Sequence, residues 1–330
     1  MSEKTVVTID CGLVVPEGDE KVFENQHIRL EAGIESKGTL IFKNCTIEPC
    51  AKLDGKSGGK LPYKPGCIRM GINGKLRMDG CEVIHPGQDF LSGWNMAVQN
   101  TSFLISPGAD GVVTVLSIAP CVIAAHGEAR FHNCSFVEEG ENTSHASTLA
   151  LVCFNRASME NCTFKNIQGK IEVAAIMDCS FVGCAAINGT KIIDSTFTDC
   201  GSISADGGYV KGCDFIHVKS IFATSSDMDS CKFQKLRGDV EDDGVISLED
   251  CKITHCSFDD VELRNGAYLI DGVGTVSIEY CRFADCRTDR EDLAICCGKV
   301  VTGKLRKQCV KVDILDVVTC SGHDKVQQLD

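Results

Sequence analysis

The chain has 330 residues, of which 43% are apolar, and a formal net charge of −13. That length and apolar share allow one large core, and the acidic balance argues against a general binder of nucleic acid or of anionic membrane surfaces. No stretch approaches the ~20 apolar residues of a membrane-spanning helix.

The first residues, Met1-Ser2-Glu3-Lys4-Thr5-Val6, lack a basic segment followed by an apolar run of secretory-signal length. Val6-Val7-Thr8-Ile9 and Val14-Val15-Pro16-Glu17-Gly18 follow. They predict an N-terminal cap and first strands over residues 1–36, because the open edge of a sheet must be covered.

A repeat occupies residues 37–290. Its anchors are Cys45, Cys81, Thr101, Cys134, Cys162, Cys179, Ser195, Cys213, Cys231, Cys256 and Cys281. Two positions after each stands a large apolar residue, Phe in nine of the eleven cases, such as Phe136, Phe197 and Phe258. Three positions before each stands another apolar residue, such as Phe131, Ile192 and Ile253. Self-similarity of this kind marks a stacked repeat architecture.

The residue before each anchor is Asn, Asp or Gly in the first eight repeats, from Asn44 to Gly212, then Ser230, His255 and Tyr280. Asn, Asp and Gly adopt a left-handed backbone cheaply, so each repeat reads as strand, one-residue corner, strand. Anchors from Cys162 to Cys231 are only 16 to 18 residues apart. A strand–helix–strand unit needs about 30. Three short strands wound once round an axis fit instead, stacked at the ~4.8 Å spacing of paired strands, with the Phe column inside.

This pattern resembles the right-handed parallel β-helix of the pectate-lyase-like proteins, with their Asn-bearing corner. The resemblance covers roughly residues 25–290 and implies an all-β fold of about 10–12 coils with capped ends. A left-handed hexapeptide β-helix would need an aliphatic residue every six positions, and that period is absent. Residues 291–330 leave the repeat and read as a C-terminal cap and tail.

Of the 22 cysteines, most fall in interior columns where other repeats carry Thr, Ser, Ile, Val or Leu. They read as small buried hydrophobes with free thiols, which suits a reducing compartment. With the unremarkable start, this predicts a cytoplasmic protein. Cys-x4-Cys pairs such as Cys45/Cys50 and Cys281/Cys286 are explained by two inward columns, so no zinc, other metal or cofactor is expected.

Loops leave the repeat after the Phe-bearing strand, at residues 48–66, 84–93, 104–111 and 137–146, and again at 237–244 and 286–292. In the enzymes this fold resembles, such a loop wall and the adjoining sheet form the substrate groove. The first loop carries Lys52, Lys56, Lys60 and Lys64 against a single Asp54; the second region carries His85, Asp89 and the sole tryptophan, Trp94. Lys52, Lys60, Lys64, His85, Asp89 and Trp94 are therefore the candidate ligand-binding residues, on the N-terminal half. The acidic runs at Glu138–Glu141 and Asp239–Asp243 match no calcium loop and read as solvated surface. Ala125-His126-Gly127 lacks the paired aspartates and the Arg-x-Lys that a polygalacturonase-like site requires, and an Asp-Pro-His-Glu motif is absent.

Two functions fit. One is a non-catalytic intracellular scaffold that binds a protein partner through its flat sheets and loop wall. The other is a carbohydrate-active or carbohydrate-binding protein, a polysaccharide lyase or glycoside hydrolase if an enzyme, whose N-terminal groove takes an acidic oligosaccharide. The missing catalytic motifs favour the first.

Overall fold

All eleven residues that precede an anchor have a left-handed backbone, from Asn44 (φ 51°) and Gly80 (φ 63°) to His255 (φ 51°) and Tyr280 (φ 55°). The structure is a computed structural model that describes residues 4–49, 67–86, 90–105, 121–138, 150–153, 156–238, 244–265, 267–274, 276–284, 286–288, 295–297, 313–315 and 320–321. The three corners that are not Asn, Asp or Gly have side-chain support. Ser230 Oγ donates to Asp229 Oδ2 at 3.2 Å, His255 Nδ1 lies 3.0 Å from Asp229 Oδ1, and Tyr280 stacks on His255 at 5.3 Å.

A second left-handed corner falls four residues after the anchor, at His85, Asn166, Gly183, Asp199, His217, Lys235 and Asp260. Between the two corners lies the Phe-bearing strand. Each coil thus has a first face, a second face that ends at the first set of corners, and a third face that carries Phe. Some coils make a separate strand for each face. In the stretch Ser220–Thr224, Asp227–Asp229 and Lys232–Gln234, left-handed Ser225 and Ser230 form the corners. Others run one strand through the first bend, as Leu91–Gln99 does, with its register shift between Gly93 and Asn95.

The chain divides into two compact units, Met1–Ala175 and Ile176–Asp330. In the first, seven third-face strands pair in parallel from Thr5–Ile9 to Thr163–Lys165; in the second, seven run from Ser180–Val182 to Cys320–Ser321. Eleven of these strands follow an anchor. The others are Thr5–Ile9, Gln26–Leu30 and Cys320–Ser321, in the terminal segments where the repeat signal fades. The described strands of the last segment, Ile295–Cys297, Asp313–Leu315 and Cys320–Ser321, also pair in parallel with preceding coils.

The core is the stacked interior. Phe103, Phe136 and Phe164 stack at 4.8 and 4.7 Å in the first unit. In the second, Phe181, Phe197, Phe215, Phe233, Phe258 and Phe283 stack at 4.6–5.1 Å, with ring planes within 8° of parallel. Parallel in-register pairing forces this, because Phe197 is the register partner of both Phe181 and Phe215. Each buried aromatic contributes a large apolar area, and offset stacking adds to it.

The anchor column needs a fuller account than small buried hydrophobe. Its thiols are free and buried, yet every anchor side chain is also a hydrogen-bond donor. Cys45, Cys81, Cys134 and Cys162 direct Sγ to the carbonyl two residues back at 3.3–3.4 Å, and Thr101 and Ser195 do the same through oxygen at 2.8 and 2.7 Å. Each of these carbonyls also accepts a backbone N–H from the corner of the preceding coil, as Lys43 does from Asn25 at 2.9 Å and Ile193 from Asp178 at 3.1 Å, so the anchor side chain takes the carbonyl's second lone pair. Cys, Ser and Thr do so in little space.

Candidate functional site

The bend of Leu91–Gln99 places Trp94 at the corner between the first and second faces, where it is 41% exposed. Gly127 of the next coil makes this position workable. A Cβ at Gly127 would stand 2.5 Å from the Trp94 carbonyl oxygen and 3.2 Å from ring atom Cε3. The indole therefore lies close against bare backbone and is partly open to solvent. Ile72, in the turn at the same corner of the preceding coil, is 66% exposed, and Asn95 Nδ2 donates to the Ile72 carbonyl at 3.1 Å.

Cationic side chains flank this corner. On the first face Arg69 points outward and pairs in register with Ser92. On the second face the register rows are Lys75–Asn95–Glu128 and Arg77–Ala97–Arg130. Ala97 leaves a slot between Arg77 and Arg130, two strand spacings or roughly 10 Å apart along the stack. A shallow pocket of about 280 Å³ results, lined by Lys75, Arg77, Asn95, Ala97, Glu128 and Arg130. Glu128 pairs with Arg130. Arg69, Lys75 and Arg77 form no ion pair among the described residues, and Glu35 is the register neighbour of Arg69 in the preceding coil.

Of the residues expected at the site, the structure describes two. His85 is exposed at the left-handed corner after the third face (φ 52°), and its N–H donates to the Leu104 carbonyl at 2.7 Å. It and Trp94 stand at opposite ends of the first face of one coil. Lys52, Lys60, Lys64 and Asp89 lie outside the described residues, as do Glu139, Glu141 and the Asp239–Asp243 run. Glu138 departs from the solvated-surface reading. It is buried, and its Oε2 accepts the Gln168 N–H at 2.8 Å.

Sequence reading missed Arg69, Lys75, Arg77 and Arg130. The signal for two of them was present: Arg77, Ala97 and Arg130 each stand one residue before an inward apolar residue, and alternation puts that position outside. Among the described residues, no group of three or more His, Cys, Asp or Glu side chains is placed to hold a metal ion.

No protein-family model matches the chain, and no curated protein matches it. Solved structures do. A PL6 alginate lyase in complex with a trisaccharide is 10% identical over 87% of this chain and 85% of its own, with a TM-score of 0.39. The periplasmic alginate epimerase AlgG is 9% identical, with coverage of 96% and 78% and a TM-score of 0.36. The surface adhesin PfbA of Streptococcus pneumoniae is 9% identical, with coverage of 86% and 82% and a TM-score of 0.33.

Both units are right-handed parallel β-helices. At these identities the likeness concerns fold. The expectation of a cytoplasmic location is corrected, because the similar structures include a periplasmic enzyme and a surface adhesin. Free thiols in the interior do not mark a compartment when the fold itself seals them from solvent.

Proposed function

We propose that the protein binds an acidic oligosaccharide across the Trp94 corner of its N-terminal unit. The observation that carries this reading is the exposed indole beside a cationic slot. A sugar ring stacks by its C–H face on the open side of Trp94, and its carboxylate lies towards Arg77, Lys75 or Arg69. Stacking surface and charge are the two requirements for holding a uronate, since the ring offers an apolar face and the carboxylate seeks a guanidinium fork. The reading favours carbohydrate binding over a protein-binding scaffold, which would call for a wide flat contact surface in place of a ridge flanked by charges. His85 lies across the first face from Trp94, and the ligand extends along that face.

A panel of neutral and acidic oligosaccharides tests it. Wild type is expected to retain acidic members only, and Arg77→Gln together with Arg130→Gln is expected to weaken retention about tenfold or more. Absence of binding across the panel would return the scaffold reading to first place.

A further inference from the structure

The second unit contains a cleft that the proposed oligosaccharide site does not use. We propose that it is a separate binding site for a small organic anion, a compound with a carboxylate or phosphate group on a compact carbon skeleton.

The cleft arises from a break in the repeat. In two coils the chain passes from its second left-handed corner, Asp199 or His217, through Cys200-Gly201 or Val218-Lys219 directly into the first face, at Ser202–Lys211 or Ser220–Thr224. In the coils that follow, extra strands intervene. Arg237–Gly238, Glu262–Leu263 and Arg287–Thr288 pair in parallel as a small sheet of their own. The step between plain and extended coils leaves a cleft of about 640 Å³. That is the size of sites that take small ligands. Its floor includes Gly201, where a Cβ would collide with the Ala185 carbonyl oxygen, and the buried side chains of Cys200 and Val218.

The polar lining is organised. His217 Nδ1 lies 2.7 Å from Asp199 Oδ1, and this contact fixes the ring. Arg237 donates to the Asp260 carbonyl at 2.5 Å and to Asp260 Oδ1 at 3.1 Å, and Arg264 Nε donates to Glu262 Oε1 at 2.8 Å. Asp260 and Glu262 are thus each paired with a guanidinium group, and Asp199 with an imidazole. Lys219 is exposed, lines the cleft and has no carboxylate partner among the described residues. Three cationic side chains, Lys219, Arg237 and Arg264, thus line the cleft against two carboxylates, Asp199 and Glu262. An anion completes this set, and preformed donors bind it with little further ordering.

Calorimetric titration with glucuronate, glucose 6-phosphate, inorganic phosphate and glucose tests the site. At least one anionic compound is expected to bind while glucose does not. Glucuronate alone would identify a carboxylate site, and glucose 6-phosphate with inorganic phosphate a phosphate site. Lys219→Met is expected to weaken binding about tenfold or more. Trp94→Ala is expected to leave it unchanged, and binding lost in Trp94→Ala would belong to the other site and overturn this one. Unchanged affinity in Lys219→Met, or anions that bind no better than glucose, would also overturn it.

Discussion

Ser195 Oγ accepts the backbone N–H of Cys179 at 3.1 Å and donates to the Ile193 carbonyl at 2.7 Å. One hydroxyl thus pairs the Cys179 N–H and adds a second donor to a carbonyl that already accepts the Asp178 N–H at 3.1 Å. Cys256 Sγ repeats the arrangement, taking the Cys231 N–H at 3.4 Å and donating to the Thr254 carbonyl at 3.2 Å. Ser195→Ala is therefore expected to cost about 1–3 kcal/mol by leaving the buried Cys179 N–H unpaired. Ser195→Cys, the residue most coils carry there, is expected to cost less than about 1 kcal/mol. Urea denaturation of the two variants checks this, and equal losses would show that the column is only packing.

Phe197 has a stacked ring on each side, Phe181 at 5.0 Å and Phe215 at 5.1 Å, and no solvent exposure. Its neighbours are fixed by strand register, so they cannot close the gap left by truncation. Phe197→Ala is expected to cost about 3–5 kcal/mol. A denaturation curve showing under 1 kcal/mol would be incompatible with the ladder.

Among the cysteines whose side chains are described, Cys11 is exposed, Cys286 is half-buried and the others are buried. Burial pushes the Cys251 thiol above its ordinary pKa, which removes the reactive thiolate at neutral pH. Of these cysteines, Cys11 is expected to react first with a thiol reagent in the native protein. All are expected to react in denaturant without prior reduction. Mass spectrometry of the labelled peptides would show the contrary result as sites that stay closed until reductant is added.

Asp229 receives hydrogen bonds from His255, Thr254 and Ser230, and the His255 bond contributes most to holding its carboxyl below the usual Asp value. The unfolded chain therefore takes up this proton more readily than the folded one. The stabilisation is fully present above the ordinary Asp pKa of about 3.9 and is lost as pH falls through the lower folded value. Asp229→Asn is expected to flatten stability against pH in that acid window and to leave its shape unchanged above about pH 6. An unaltered acid slope would remove Asp229 from the account.

The architecture was legible because the repeat constrains it many times over. An inward residue three before the anchor, a left-handed corner and an inward Phe, Ile or Val two after it recur at all eleven anchors, so a single ambiguous position such as Tyr280 does not blur the pattern. The second corner was harder to see, because His85, His217 and Lys235 occupy it beside Asn166, Gly183 and Asp199, and backbone geometry there does not depend on residue type alone. The sites were less legible still. Arg77 and Arg130 are separated by 53 positions in sequence and meet only through the registers Arg77↔Ala97 and Ala97↔Arg130. Loop lengths between coils set that meeting, and no local motif records it.

Trp94 is the only tryptophan in the chain, so its fluorescence reports on the proposed oligosaccharide site alone. The decisive measurement is a titration of that emission with an acidic oligosaccharide from the binding panel, at low and at high salt. A saturable change in emission is expected, with an affinity that falls as salt screens Arg69, Lys75 and Arg77. Binding detected by calorimetry with no change in Trp94 emission would contradict the account.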